Sequence, residues 1–187
     1  SKDMETESLD KLLKSIGNQS YQSTSYTYPN EFDWRDIADV NYITPVKNQA
    51  SCNSCWIFSS IAGVEAQRNI EDNNSDMGFD LSEQDVLSCT GMGCGSGVEW
   101  IALDYVKNNG VVDEACFPYQ ASKVDCSLKC SDWENRLTFI NKWEFFWDLE
   151  TVNEEAKWRI SSHGPVIGGL NMDGYFDENN TYRCDGF

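Results

Sequence analysis

The chain has 187 residues, enough for one large domain or for two small lobes around a shared cleft. Its formal net charge is -17, from 31 acidic and 14 basic side chains. That charge opposes binding to the phosphates of nucleic acid and to an anionic membrane surface. The sequence also has no run of about 18 apolar residues that could span a bilayer. We therefore expect neither a nucleic-acid partner nor a membrane partner.

The cysteines and sequons indicate the compartment. Eight cysteines in a chain of this length favour an oxidising environment. Three N-x-[ST] triplets, at Asn18, Asn73 and Asn179, are typical of secreted proteins. The chain begins at Ser1, so we expect that an upstream segment was removed or left out. We predict an extracellular location or a lysosome-like acidic compartment.

The first 48 residues divide into two parts. Residues 1–28, rich in Ser, Thr, Gln and Tyr, are interpreted as an N-terminal extension with one short amphipathic piece, Leu9 to Ile16. A flexible arm and a docked tail both fit this composition. Residues 29–48 carry Pro29 and Pro45 and are predicted to be extended and turn structure.

A helix from about Ser54 to Asn69 is the central predicted element. Five apolar residues form its stripe: Ile57, Ile61 and Val64, widened by Phe58 and Ala62. Cys55 then falls in the first turn, where unpaired N–H groups and the positive end of the helix dipole favour a thiolate. A cysteine held in this way is a candidate nucleophile.

The remaining pattern predicts more helices and then strands. Ser82-x-x-Asp85 is a capping box that opens a short helix, and Gly110 ends the next helix. The apolar face of that next helix consists of Val98, Ile101, Ala102 and Tyr105. Further predicted elements are strands at Leu137–Trp143 and Pro165–Leu170, a helix at Val152–Ser162 and a turn at Asp177–Asn180. We predict an α+β fold in which a helical lobe, 29–125, precedes the beginning of a β-rich lobe, 126–187.

Several motifs resemble one enzyme family. Cys52-Asn53-Ser54-Cys55-Trp56 resembles the signature C-G-[SA]-C-[WY] of papain and cathepsin cysteine peptidases. Phe32-Asp-Trp-Arg35 resembles the start of the mature enzyme, and Thr44-Pro-Val-Lys-Asn-Gln49 resembles the run into its active site. Leu81–Cys89 and Gly93-Cys94 resemble two later landmarks. Five landmarks in the family's order are much more specific than the signature alone.

The resemblance implies a two-lobed fold with a cleft between the lobes, and a reaction. Cys55 is the implied nucleophile, which hydrolyses a peptide bond through an acyl-enzyme. The Gln49 side chain and the Cys55 backbone N–H are the implied donors to the oxyanion. The implied partners are a peptide or protein substrate, a proteinaceous inhibitor, or the chain's own prosegment, of which residues 1–28 are a candidate remnant. Neither a cofactor nor a metal is expected.

Substrate binding is also inferred from the resemblance. Gly97 matches the residue whose backbone pairs with the substrate two positions before the cut. Ser96 and Asn53 stand where the family usually has glycine, which lets backbone approach a ligand closely. These two departures concern the shape of the cleft.

The resemblance further implies a set of disulfides. Cys52 pairs with Cys94 and Cys89 with Cys126, while Cys116 with Cys130 is assigned from the cysteines that remain. Cys184 is left without a partner in the chain. Spacing alone cannot fix such a connectivity.

The general base is the missing part of the pattern. In the family, histidine and asparagine follow the cysteine by about 130–150 residues, at or past the end of this chain. The sole histidine, His163, stands too early, and we expect it to be a surface residue at a helix end. We expect a chain cut before its base, with little or no peptidase activity alone. A second chain that supplies the C-terminal part is a further candidate partner.

Three alternatives remain open from the residues. Cys52-x-x-Cys55 also fits a redox pair or half of a zinc site. A catalytically dead homologue that binds peptides or inhibitors would carry the same motifs. A disulfide-rich adhesion or storage domain would leave Gln49 and Cys55 unexplained.

Overall fold

A computed structural model describes residues 26–74, 78–95, 97–146 and 152–169, and the backbone of 175–176 and 182–183. The helices are α1 (Cys55–Glu71), α2 (Glu83–Cys89), α3 (Glu99–Asn109) and α4 (Val152–Ser162), with 3-10 turns at Cys126–Leu128 and Trp133–Asn135. Strands β1 (Tyr175–Phe176) and β2 (Tyr182–Arg183) pair antiparallel. Within the described ranges, no helix is long and apolar enough to cross a bilayer. Several sequence-based assignments lie outside them: most of the extension 1–28 with Leu9–Ile16, the sequons at Asn18 and Asn179, Ser96, Asp177–Asn180 and Cys184.

The helix predictions are confirmed. α1 extends two residues past the predicted end, and α4 has the predicted bounds. Gly110 ends α3 with a φ of 76°, a conformation that glycine adopts without steric cost. Residues 29–48 form neither helix nor strand apart from the bridge between Ile37 and Val40.

The apolar stripe of α1 is narrower than predicted. Ile57 and Ile61 are fully buried and Val64 is 5% exposed, but Ala62 is exposed. The prediction for Ala62 was therefore wrong, although Asn69 and Ala66, about 120° and 180° around the helix from Ile57, are buried further along α1.

Only half of the capping box forms. The Ser82 hydroxyl accepts a hydrogen bond from the Asp85 backbone N–H at 3.0 Å. The Asp85 carboxylate turns into the core, where it accepts from Val112 N at 3.0 Å and from the Tyr105 hydroxyl at 2.8 Å. It also pairs with Lys129 at 2.6 Å. Asp85 thus ties α2 to α3 and to the segment that follows.

The helical region, defined here as residues 29–138, closes its own core. The main cluster of buried residues comes from α1, α2, α3 and the flanking Leu81 and Val111. Two disulfides, Cys89–Cys126 and Cys116–Cys130, and a backbone bridge between Val111 and Thr138 attach the later part of this region. This packing continues past residue 125, where the sequence-based lobe division falls.

The two predicted strands are wrong within the described residues. Of Leu137–Trp143, Thr138 alone makes a bridge, and 165–169 are not in a strand. A period-two pattern shows that a segment suits a sheet, but a strand exists only where a second strand pairs with it. The residues described here supply Val111 alone as that partner.

The N-terminal segment contacts α4. The Trp34 indole donates to the Ile160 carbonyl at 2.7 Å, and Tyr26 and Trp158 have ring centroids 5.4 Å apart. The Tyr28 hydroxyl bonds to the Glu154 carboxylate. These contacts hold α4 beside residues 26–34, although α4 itself buries no residue completely.

Candidate active site

Cys55 lies at the point where α1 begins. It is the first residue of the helix, and its side chain is exposed. Among the residues that the structure describes, it is the one free cysteine. Its neighbour Ser54, the N-cap, is fully buried. The thiol is therefore presented to solvent from a rigidly held helix end, next to N–H groups that have no partner inside the helix.

Gln49 is fixed beside this helix end. Its side-chain oxygen accepts from the Ser54 backbone N–H at 3.0 Å. The chain between them makes a tight turn, in which Ala50 has a φ of 53° and its N–H bonds to the Asn48 side chain at 2.8 Å. Because the oxygen end of the amide is occupied, the NH2 end is left to act as a donor.

The predicted substrate-binding glycine lies against the neighbour of the nucleophile. A Cβ built on Gly97 would stand 2.2 Å from an indole carbon of Trp56, which is 3% exposed. The Cys52–Cys94 disulfide links the same two loops, with Cα atoms 4.9 Å apart. From the sequence, we expected this glycine because its backbone would pair with a substrate. The structure adds that the Trp56 ring leaves no room for a side chain.

The other predicted binding positions are less constrained. Asn53 is exposed between the disulfide cysteine and the N-cap. Ser96 is outside the described residues. The structure therefore brings Gln49, Cys55 and Gly97 together through the two neighbours of Cys55. Gln49 bonds to Ser54, and Gly97 lies against Trp56.

A partly buried group of charges anchors the segment that leads to Gln49. The Lys47 ammonium lies 3.0 Å from Glu65, 2.6 Å from Asp80 and 2.9 Å from Glu83. The Thr44 hydroxyl donates to Glu65, which is fully buried in α1, at 2.6 Å. Three carboxylates thus share one cation directly upstream of the turn that carries Gln49.

This group shifts two pKa values. Burial lowers the pKa of Lys47, but hydrogen bonds with Asp80 and Glu83 outweigh that effect and hold its pKa above the ordinary value. Burial raises the pKa of Glu83 to about 7, against the opposing attraction of Lys47. The physical reason is that burial disfavours the charged form of Glu83, and the neighbouring Glu65 carboxylate adds repulsion.

His163 lies at a different place. It is exposed just after α4 and bonds through Nδ1 to the Ser162 hydroxyl at 2.8 Å, and its ring lies tilted against that of Trp158 with ring centroids 4.5 Å apart. It lines a groove of about 520 Å³ together with residues of α1, α3 and the segment 138–146. Neither Cys55 nor Gln49 lines that groove. This groove is thus not the site of the candidate nucleophile.

The cysteine arrangement bears on the metal and redox alternatives. Cys52 is bonded to Cys94, so Cys52 and Cys55 do not form a dithiol pair. Within the described ranges, Asp85, Cys89 and Cys126 lie close enough to share an ion. However, Cys89 and Cys126 are the two halves of a disulfide and offer no thiolate.

Sequence reasoning missed one residue that touches the site. The Tyr119 hydroxyl lies 2.7 Å from the Ser54 hydroxyl and donates to the Gln49 carbonyl at 3.0 Å. Tyr119 is 65 positions from Ser54, so no local pattern could have linked them. The available signal was a tyrosine after Phe117-Pro118, close in sequence to the disulfide cysteines Cys116 and Cys126.

Comparison with known proteins establishes the class. The family model described as papain family cysteine protease matches residues 28–182. This chain belongs to the papain family of cysteine proteases. It is 40% identical over 111 residues to Peptidase 1 of Psoroptes ovis, and 36% identical over 155 residues to ananain of Ananas comosus. These matches cover 59% and 79% of this chain.

A solved structure supports the two-lobed α+β fold. The digestive procathepsin L2 proteinase from the larval midgut of Tenebrio molitor matches with a TM-score of 0.63 at 24% identity, over 90% of this chain and 55% of that one. The alignments span 33% of the Psoroptes relative and 40% of ananain. The chain thus spans between a third and two fifths of the length of these curated relatives.

Proposed function

We propose that Cys55 is the nucleophile of a papain-like cysteine endopeptidase that hydrolyses peptide bonds through an acyl-enzyme. The observation that carries this proposal is an exposed, unbridged thiol at the first residue of α1, beside a glutamine whose amide oxygen is fixed on Ser54 N. An acidic, disulfide-linked adhesion domain would not need this arrangement.

The chemistry follows from the groups present. The Cys55 thiolate attacks the substrate carbonyl, a C–S bond forms, and the electron pair of the C=O bond moves to oxygen. The Gln49 NH2 and the Cys55 backbone N–H are positioned as donors to that oxyanion. When the tetrahedral intermediate collapses, the C–N bond breaks and the amine leaves with a proton from a general acid.

His163 does not suit the role of that acid, because it lines a groove that excludes Cys55. We assign the acid to a histidine of the parent polypeptide after residue 187, at the family spacing, or of a second chain that completes the lobe. The 187-residue chain alone then has little or no peptidase activity. The lobe boundary near residue 28 belongs to the same proposal, and the boundary expected at residue 125 moves to about residue 138, because two disulfides and a backbone bridge attach the intervening segment to the helical region. The family match that begins at residue 28 supports the first of them.

The substrate is a peptide or protein that binds along Gly97, Ser96 and Asn53. A proteinaceous inhibitor or the prosegment would compete for the same surface. A secreted or lysosome-like location is supported by the three disulfides, which persist in oxidising compartments. Mildly acidic working conditions belong to the same proposal.

Labelling with a thiol-directed peptidyl electrophile tests the proposal. We expect the 187-residue chain to be labelled at Cys55, and Cys55→Ser to abolish that labelling. We expect hydrolysis of a peptide substrate only from the longer parent polypeptide. Peptide binding without labelling of Cys55 would instead identify a dead homologue, and the peptidase proposal would be wrong.

A further inference from the structure

We propose that Tyr119 is a positioning residue of the Cys55 site, whose hydroxyl holds the two ends of the turn 49–54 together. The inference rests on the proposed function and extends it to a residue outside the motif. The Tyr119 hydroxyl oxygen bonds to both the Gln49 carbonyl and the Ser54 hydroxyl. Gln49 and Ser54 are the two ends of this turn. Gln49 carries the oxyanion donor, and Ser54 directly precedes the nucleophile.

The direction of these hydrogen bonds follows from counting protons. The Gln49 carbonyl can only accept a hydrogen bond, so the single hydroxyl proton of Tyr119 is donated to it, at 3.0 Å. The Ser54 hydroxyl must then donate to the Tyr119 oxygen, at 2.7 Å. This is a better bond than its alternative acceptor, the Cys52 carbonyl at 3.4 Å. The result is a directed chain from Ser54 through Tyr119 to Gln49.

Tyr119 is itself held firmly, which a positioning residue requires. Its backbone N–H donates to the Glu114 carboxylate at 2.7 Å. Its ring meets the edge of Phe58, one turn into α1, with centroids 4.9 Å apart. Burial raises the pKa of Tyr119, so the hydroxyl stays protonated and keeps its role as donor. The oxygen is thus placed by groups that are independent of the turn it holds.

Loss of this oxygen would loosen the turn without unfolding it. The Gln49 carbonyl would retain the Cys52 N–H at 3.3 Å, and Cys52 would remain anchored by its disulfide. The Ser54 hydroxyl would lose its shorter bond, however, and keep only the Cys52 carbonyl at 3.4 Å, and the Ser54 backbone N–H is a donor that fixes the Gln49 amide. The expected effect is therefore on the orientation of the Gln49 side chain and on the alignment of a bound carbonyl, more than on the reactivity of the thiol.

Tyr119→Phe tests this because the ring contact with Phe58 is retained. Two reagents alkylate Cys55 by forming a C–S bond as chloride leaves: a peptidyl chloromethyl ketone, which needs the donors and the substrate cleft, and chloroacetamide, which needs neither. In Tyr119→Phe we expect the rate constant of the peptidyl reagent to fall about tenfold. The rate constant of chloroacetamide should stay within about twofold of wild type.

A matched control separates positioning from stability. Tyr105→Phe removes a comparable hydroxyl, bonded to Asp85 at 2.8 Å, from a place outside the site. We expect it to lower the melting temperature and to leave the ratio of the two rate constants unchanged. If Tyr119→Phe folds poorly, Ser54→Ala replaces it, since the Ser54 side chain makes no cap hydrogen bond to α1. Its ratio should fall in the same direction.

The outcomes separate the positioning role of Tyr119 from the proposed peptidase function. An unchanged ratio in Tyr119→Phe, or an equal fall in Tyr105→Phe, overturns the positioning role and leaves the peptidase proposal standing. If wild type itself shows no preference for the peptidyl reagent, the proposed function fails, and the role of Tyr119 fails with it.

Discussion

The helical region and the residues that follow it differ in how they bury their side chains. Residues 29–138 enclose a core with fully buried Ile57 and Ile61, three disulfides and a shielded charge group around Lys47. We call residues 139–169 the late region. It shows Phe145 at 57% and Ile160 at 36% exposure, and α4 buries no residue completely.

This difference shows where the site obtains its rigidity. Cys55, Gln49 and Tyr119 all belong to the helical region, so the nucleophile and its neighbours are fixed by a core that is already closed. The late region supplies α4 and one wall of the 520 Å³ groove, which excludes the candidate nucleophile. Paired substitutions, one in each region, test this difference.

Removal of a charge gives the largest expected contrast. Lys47→Met leaves the buried carboxylates of Glu65 and Glu83 without their cation, which should reduce the free energy of unfolding by about 3–5 kcal/mol. Lys142→Met breaks an ion pair with Glu144 whose side chains are 76% and 50% exposed. It should cost less than about 1 kcal/mol. Urea unfolding with intact disulfides measures both, and equal losses would refute the contrast.

Truncation of an isoleucine in each region comes next. Ile61→Ala empties a fully buried position in α1 and should cost about 3 kcal/mol. Ile160→Ala, in α4 at 36% exposure, should cost less than about 1 kcal/mol. The same unfolding experiment compares them. A larger loss for Ile160→Ala would mean that the late region is packed more tightly in solution than in this structure.

The pH dependence of stability depends on Glu83. Its pKa of about 7 in the folded protein lies above the ordinary 4.5, so the folded state binds this proton more tightly. Its contribution is complete below about pH 4.5 and is lost as the pH rises through 7, by up to about 3 kcal/mol.

We expect Glu83→Gln to flatten the decline of stability across that window, as measured by urea unfolding at a series of pH values. Glu144→Gln in the late region is the control. Hydrogen bonds with Lys142 and Arg159 lower the pKa of Glu144, so this variant should not flatten the same window. Identical pH profiles for wild type and Glu83→Gln would contradict the assignment.

A pair of glycine substitutions gives the smallest effect, within the helical region itself. A Cβ at Gly97 would meet the Trp56 ring at 2.2 Å, whereas the nearest atom to a Cβ at Gly95 is 3.9 Å away. Gly97→Ala should therefore cost about 2 kcal/mol through overpacking. Gly95→Ala should be nearly neutral. Thermal unfolding tests the pair, and a neutral Gly97→Ala would show that Trp56 can move aside.

Much of the site could be predicted because its signals are local or belong to a motif. The start of α1, the position of Cys55 in its first turn, and Gln49 ahead of it all follow from residues close together in the sequence. The role of Gly97 was predicted from the resemblance, whereas its contact with Trp56 was not. Asp85 was predicted to close a capping box, but its carboxylate bonds to Tyr105, Val112 and Lys129.

The positions of α1 to α4 and the placement of Cys55 in the first turn of α1 could be predicted from the linear pattern. Helix periodicity, caps and glycine stops depend on contacts within a few residues, which a linear pattern records. Three features followed only from tertiary contacts. Thr138 alone pairs within Leu137–Trp143. Three carboxylates share the Lys47 ammonium, and Tyr119 holds the turn before Cys55. Those partners are distant in sequence, and the free energy of burying a polar group or pairing a strand depends on which groups the fold brings to it.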